Sequence, residues 1–368
     1  MNVIAPVVLD PCNFTPLHRT PWAGYNIARH IKQKVLSRAG DVECKIGESW
    51  EFSCDSQFMS RLVSSPLSLC DFLAMDPSAI LSPCVVQKRQ LVGHCPLLVK
   101  LIEASYPLSF QVHPDDQDGY LAEDECGKPE SWLILQVEKG AGIYLGFQDG
   151  VTMDQLCEGL RFHQDIEHLM QFVAVKPGDY FDLPPGVPHA IGSGVTLAEP
   201  QRILAGKHGK TYRMWDWNRR YDACGNVNEA GQSRELHIEE SLRLVAPELQ
   251  QGTSYVATLQ KKPRRSSLNG VGHWYAYPAN ADYQSHLVEL FAASRVNLTL
   301  QDTYLVVVAV RGDSCWSWRS AEGVEQQLML LQGHTMLLPA AIAVFDFTSE
   351  GACQVCLFHD SLGEISLK

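Results

Sequence analysis

The sequence lacks several features that would place it outside an ordinary globular class. No run of about 18 apolar residues is present to span a bilayer as a helix. The opening "MNVIAPVVLDPCNF" lacks the basic-then-apolar order of a secretory leader. Cations are scarce: 30 Lys and Arg stand against 42 Asp and Glu, a formal net charge of −12. That field repels nucleic acid and anionic membranes, so neither is expected as a partner, and an anionic ligand needs a local basic cluster. Cysteine is not scarce, with twelve in the chain, but the twelve are scattered and read as reduced thiols rather than a disulfide framework. The one CxxC, Cys353 and Cys356 in "GACQVCLFHD", has no second pair to complete a zinc site. A cytoplasmic protein is expected.

What is present is strand patterning. At 368 residues and 45% hydrophobic content the chain suffices for one large or two ordinary domains. From about residue 95 onward the strong segments are short, rich in Val, Ile, Leu and aromatics, and punctuated by Gly, Pro or Asp. "SWLILQVEKGAGIYLGF", "YLVVVAVRGDSCWSW" and "HTMLLPAAIAVFDF" are examples. Helical spacing is local, in "SPLSLCDFLAM", "MDQLCEGL", "DIEHLMQFV" and "LHIEESLRLV". The expectation is a mainly β protein with a few helices.

A faint duplication runs through these strands. "LILQVEKGAGIYLG" and "LVVVAVRGDSCWSW" each place a Gly turn between two strands, and each is followed by a segment in which Gly leads to Pro across five residues, Gly178 to Pro184 and Gly333 to Pro339. The first continues to His189; the second has Val344 at that place. A metal held by His189 therefore has no counterpart in the second copy. The polar stretch "NRRYDACGNVNEAGQSREL" marks the boundary, giving domains 1–235 and 236–368 with a small helical insertion at about 60–92.

"GDYFDLPPGVPH" has the form G-x5-P-x-G-x-x-H and resembles the second motif of the cupin superfamily, a double-layered β barrel. Its prolines stiffen the turn, Gly186 accepts a positive φ, and His189 is delivered on the strand that leaves it. The competing reading is a β turn followed by an incidental His. Gln111 and His113 in "SFQVHPDD" alternate onto one strand face, which alone fits a satisfied polar pair as well as two ligands. Glu130 in "GKPESWLIL" adds a carboxylate where the next strand begins. Two His, one Glu and a neutral oxygen suit a catalytic zinc, which keeps a position open.

"PLLVKLIEASYPLSFQVHPDD", "GKPESWLIL", "VKPGDYFDLPPGVPHAI", "TYRMWDW" and "SRELH" occur in the order found in class I mannose-6-phosphate isomerases, and the chain resembles the short bacterial form of that family. "PWAGYNI" and "GESWEFS" look like its early stretches; the likeness covers most of residues 20–240 and, more loosely, the remainder. The resemblance implies two cupin-type barrels, the second degenerate, and a zinc-dependent aldose–ketose isomerase that interconverts mannose 6-phosphate and fructose 6-phosphate through a cis-enediol. It implies one Zn²⁺ per chain, held by Gln111, His113, Glu130 and His189. It makes Arg213, Lys128 and Glu199 catalytic candidates and Ser109 and Lys210 substrate-binding ones. Lys128 and Glu199 also read as solvated strand ends. The loop "RILAGKHGK" supplies Arg202, Lys207, His208 and Lys210 as a candidate phosphate cluster, each of which also reads as a solvated loop residue. This loop departs from the family pattern: it runs longer, and Gly209 stands where an acidic residue is expected. From another class, a metal-binding cupin serving as a sugar-phosphate sensor fits the same ligands. The two readings part on whether Lys128, Glu199 and Arg213 converge on the metal.

Overall fold

The computed structural model describes residues 4–39 and 43–368. The first half contributes ten strands to two five-stranded sheets: β1 (Glu48–Phe52), β2 (Leu97–Ala104), β3 (Phe110–Val112), β4 (Glu130–Val137), β5 (Gly142–Phe147), β6 (Met170–Ala174), β7 (Tyr180–Leu183), β8 (His189–Ile191), β9 (Val195–Arg202) and β10 (Tyr212–Trp215). The second half contributes eleven: β11 (Arg264–Leu268), β12 (Gly272–Ala276), β13 (Tyr283–Leu290), β14 (Ser294–Gln301), β15 (Leu305–Arg311), β16 (Ser314–Arg319), β17 (Glu325–Leu330), β18 (Thr335–Leu338), β19 (Val344–Ser349), β20 (Cys353–Asp360) and β21 (Glu364–Leu367).

The duplication is carried by the strand order. The first half reads β1-β2-β9-β4-β7 and β10-β3-β8-β5-β6; the second reads β12-β13-β20-β15-β18 and β21-β14-β19-β16-β17. Each position in one series has its partner in the other, all paired antiparallel. The second long sheet gains β11 at one edge and, at the other, Val7–Leu9 from the start of the chain, which pairs with β18. His189 opens β8 and Val344 opens β19, so the two stand at equivalent places.

Alternation decides where each strand face goes. Ile102, Trp132, Ile134, Leu145 and Leu197 fill the space between the sheets of the first half. Leu101, Leu133 and Ala198 on the reverse face pack with Val306, Val308, Cys356 and Phe358 of the second half. The β2–β9–β4 face is thus buried on both sides, which is why these strands read as nearly continuous apolar runs. Val307, Trp316, Phe347 and Leu357 fill the second sandwich. Cys353 and Cys356 project into different cores, so the CxxC does not chelate.

Most expected helices form, with sequence-readable starts. Leu69–Met75 carries a capping box between Ser68 and Asp71, and Met153–Arg161 one between Thr152 and Gln155. Ile238–Leu244 is helical too. "DIEHLMQFV" is a correction: only Glu167–Leu169 turns, as a 3₁₀ segment, and Met170–Ala174 is β6, because pairing with β5 satisfies its backbone. Among the described residues no helix is long and apolar enough to cross a membrane.

Candidate metal centre and cleft

The site lies between the two sheets of the first half. Register on one sheet sets three candidates in a row: Gln111 on β3 lies opposite His189 of β8 on one side and Arg213 of β10 on the other. On the facing sheet Glu199 of β9 pairs with Lys100 of β2, and Gln201 pairs with Glu130 at the start of β4. The turn before β8 is built as its composition suggests, with Gly186 at φ +89° after Pro184 and Pro185.

His113, Glu130 and His189 are buried, with ligand atoms within 4.8 Å of one another. His113 Nε2 stands 3.2 Å from Glu130 Oε2, and His189 Nε2 stands 3.5 Å from Glu130 Oε1. The outer ring nitrogens are committed: His113 Nδ1 is 3.1 Å from the Lys210 carbonyl, and His189 Nδ1 is 2.8 Å from the Val187 carbonyl. A carbonyl only accepts, so both Nδ1 atoms carry the proton and both Nε2 atoms turn lone pairs toward Glu130. His113 Nε2 and Glu130 Oε1 have no hydrogen-bond partner although buried. Buried acceptors left facing one another are costly unless a cation satisfies them, and backbone-anchored imidazoles are how proteins orient metal ligands. Gln111 completes the ring: its Nε2 lies 3.4 Å from His189 Nε2 while Ser109 Oγ donates to its Oε1 at 3.1 Å. Half a turn of the amide presents oxygen instead.

The charges fit a cation. Burial raises the Glu130 carboxyl's proton affinity, but the Lys128 ammonium, at 3.1 Å, outweighs it and holds the group well below the usual range. Burial, then Lys128, lowers His113 to about 3, and burial lowers His189, so both rings are neutral. Burial opposes the charge on Lys128, yet Glu130 and Glu199 raise its pKa. Glu199 rises to about 7 through burial and then Glu130.

A cleft of about 240 Å³ opens beside this cluster, lined by Ser109, Gln111, Lys128, Glu199 and Arg213. A larger cavity, about 1100 Å³, lies against Trp318 and Arg295 in the second half and holds none of the candidate residues. Arg213 Nη1 donates to the Glu235 carbonyl at 2.8 Å while its buried Nε has no partner. Burial, then Arg234, lowers its pKa to about 10.

The loop "RILAGKHGK" is differently placed. Arg202 makes a two-pronged contact with Asp116 at 2.9 and 2.7 Å, Lys207 donates to the Glu125 carbonyl, and Lys210 is held 2.6 Å from Glu125. His208 is 2.8 Å from Asp55. Each is partnered, and only His208 and Gly209 of the loop beyond Ile203 line the cleft. The lining cations besides Lys128 and Arg213 are Arg19, Lys100 and Arg234. Sequence reasoning missed these, together with Glu48 and Gln201. Arg234 sat unassigned in "SRELH"; for Lys100 the only signal is a charged residue in the middle of the largely apolar "LLVKLIEA", and Gln201 carries none.

No family model matches the chain. The mannose-6-phosphate isomerase of Streptococcus mutans is 29% identical over 231 residues, 61% of this chain and 64% of that protein. Mannose-6-phosphate isomerase ManA of Bacillus subtilis is 35% identical over 207 residues, 55% of this chain and 59% of that protein. The matched region thus spans about three fifths of these relatives' length. Among solved structures, the mannose 6-phosphate isomerase of Bacillus subtilis superposes with a TM-score of 0.74 at 22% identity, covering 97% of this chain and 100% of that one. A mannose 6-phosphate isomerase described as holo and zinc bound gives 0.66 at 15% identity, with 97% and 100% covered. The chain is thus similar in sequence to mannose-6-phosphate isomerases over about three fifths of its length and shares the fold of solved mannose 6-phosphate isomerases over nearly all of it.

Proposed function

We propose that the protein is a zinc-dependent aldose–ketose isomerase that interconverts mannose 6-phosphate and fructose 6-phosphate through a cis-enediol. The observation that carries this is the pair of Nε2 lone pairs aimed at Glu130, one of them unsatisfied, beside a cleft lined by Lys128, Glu199 and Arg213. Gln111, His113, Glu130 and His189 are the groups that would hold Zn²⁺, whose chemistry is Lewis-acid polarisation of the carbonyl and hydroxyl oxygens at C1 and C2. Zinc is also what the solved relative is described as binding.

The chain's own residues account for the rest. Isomerisation moves a proton between C1 and C2, which needs a group able to carry it and donors for the oxygen that gains charge. Lys128 and Glu199 are the lining groups suited to the first task. Arg213 offers a fixed fork to the developing charge or to the phosphate, and Ser109, at the end of the same strand face as Gln111, meets the sugar. Lys210, held by Glu125, contributes through its carbonyl, which fixes the His113 ring. A sensor would need the ligands but not this convergence of a Lys, a Glu and an Arg, which favours the enzyme.

The test is a coupled assay for fructose 6-phosphate from mannose 6-phosphate on protein of measured metal content. Turnover that tracks zinc occupancy is expected. Stoichiometric zinc without turnover on any aldose 6-phosphate would overturn the isomerase reading and leave a binding protein.

A further inference from the structure

The cations of "RILAGKHGK" are spent on neighbouring carboxylates and carbonyls, so the basic cluster that an anionic ligand needs lies elsewhere. The cleft lining carries it. Five cations, Arg19, Lys100, Lys128, Arg213 and Arg234, stand there with three carboxylates, Glu48, Asp55 and Glu199. Each carboxylate already has a partner: Trp50 Nε1 reaches Glu48 at 3.0 Å, His208 Nδ1 is 2.8 Å from Asp55, and Trp132 Nε1 reaches Glu199 at 3.2 Å. What remains in surplus is donors.

One of these donors is an indole. Trp132, Trp215, Trp274 and Trp316 are buried, and their N–H groups donate to Glu199, Asn218, His286 and Ser314 respectively. Trp22 departs from that rule. It lines the cleft with 7% of its surface exposed, and its buried Nε1–H has no acceptor among the described residues. The ring is also fixed in place. Its backbone carbonyl accepts from Ser105 and Tyr106 N–H at 2.8 and 3.3 Å, it packs in one apolar cluster with Ile102 and Leu108, and the Arg234 guanidinium lies 5.0 Å from its centroid. Arg234 is itself clamped on Asp216 by two bonds of 2.8 and 2.6 Å. On the same cleft the buried Arg213 Nε–H is likewise unpaired. An orphaned buried donor is costly, so two of them in one cleft call for an acceptor that a ligand brings.

We propose that Trp22 is a specificity-determining residue whose indole N–H, beside the Arg213 fork, receives the phosphoryl group of the substrate. A phosphoryl group offers several acceptor oxygens on one centre and the negative charge that this lining lacks. A neutral hydroxyl meets the first need but not the second. Arg234 is a positioning residue: it braces the indole face and keeps the N–H aimed. That the ligand is a sugar phosphate rests on the isomerase reading; that the pocket selects an anionic acceptor rests on its own unpaired donors.

Zinc-loaded full chain, as wild type, Trp22→Phe and Arg234→Lys, is titrated with fructose 6-phosphate by calorimetry and with fructose by ligand-observed NMR. Trp22→Phe keeps an aromatic ring and deletes the N–H. It is expected to weaken fructose 6-phosphate by roughly 10–100-fold and to leave fructose as before, with zinc content and thermal midpoint held. In turnover of mannose 6-phosphate the loss is expected in KM, with kcat little changed. Arg234→Lys, which loosens the brace but keeps the N–H, is expected to give a smaller loss of the same kind, and it decides the matter if Trp22→Phe proves unstable. Unchanged fructose 6-phosphate affinity overturns the proposal, as does an equal loss for both sugars, the result of a merely structural tryptophan. Phosphate-dependent binding without turnover counts against the isomerase reading alone; turnover with an unchanged KM in Trp22→Phe counts against Trp22 alone.

Discussion

Gln201 Nε2 donates to Glu130 Oε2 at 2.9 Å and, from the same nitrogen, to Glu199 Oε2, so one amide holds two buried carboxylates apart. Without it, two like charges face each other in a low-dielectric space, and Glu130 loses the contact that aims its other oxygen at the histidines. Outer partners of metal ligands are worth about 10–100-fold in affinity. Gln201→Leu is therefore expected to weaken zinc binding by that order with the fold kept, measured by competition with a chromophoric chelator. Wild-type affinity would show that the bridge is incidental.

His189 tests the cluster itself. Its Nδ1–H is fixed by the Val187 carbonyl and its Nε2 faces Glu130, so His189→Ala removes one ligand while every apolar side chain of the two sandwiches stays in place. The expected outcome is purified protein with little zinc by elemental analysis and an unchanged far-UV circular dichroism spectrum. Full occupancy would show that the ligand assignment is wrong.

A second buried charge pair is structural. Lys32 Nζ lies 2.6 Å from Glu51 Oε1 and donates to the Gly333 carbonyl at 2.7 Å, and Glu51 Oε2 accepts from Thr335 Oγ1 at 2.6 Å. Both charges are fully buried, and Gly333 and Thr335, which hold them, come from the second half of the chain. Lys32→Met strands the Glu51 carboxylate and is expected to cost about 3–5 kcal/mol, whereas Lys32→Met with Glu51→Leu should recover much of it. Urea denaturation of both variants measures this; equal losses would mean that the pair is not coupled.

Nothing in "RHIKQK" or "GESWEF" announces that pair, and the reason is general. Features fixed locally were legible: the prolines and Gly186 that deliver His189, the alternation that aligns Ser109, Gln111 and His113, and the helical spacing of "SPLSLCDFLAM". Features set by register across sheets were not. Gln201 reaches Glu130 only because β9 pairs with β4 at that step, and Lys100 reaches Glu199 only because β2 lies on the other side. Spacing in "DIEHLMQFV" pointed to a helix, and pairing with β5, which spacing does not show, made Met170–Ala174 a strand. The basic loop before Arg213 looked like a phosphate site because its acidic partners, Asp116, Glu125 and Asp55, are distant in sequence.

The second sandwich carries a pH-sensitive element. Trp274 Nε1–H donates to His286 Nδ1 at 3.1 Å, His286 Nε2 and His359 Nε2 are 2.9 Å apart, and His359 Nδ1 is 2.8 Å from the Asp360 carbonyl. The proton order that satisfies this chain keeps both rings neutral. Burial lowers His359 to about 4 and His286 well below its usual value. The folded pKa is thus below the unfolded one of about 6.5, so the unfolded state binds more protons, and stability present above pH ~6.5 is lost as pH falls toward 4. His359→Gln is expected to be less stable at pH 7.5 but to lose less between pH 6.5 and 4.5. Parallel urea midpoints for the two proteins would exclude the pair as the source.

Gly209 shows how little space surrounds Lys128. A Cβ placed there would lie 2.8 Å from Lys128 Cγ and Cδ and 2.5 Å from Ile203 Cδ1. Such distances require something to move, and the Lys128 stem is the flexible partner. Its ammonium is what reaches Glu130 at 3.1 Å, so displacement at Gly209 is transmitted to the charge beside the metal ligands. A misplacement near 1 Å costs up to roughly 100-fold in rate. Gly209→Ala is accordingly expected to lower kcat by about 10–100-fold with zinc content and thermal midpoint held, because the strap that carries it lies at the surface of the cleft and outside the ligand set. Unchanged kcat would show that Lys128 is either free to relax or not required at its present position.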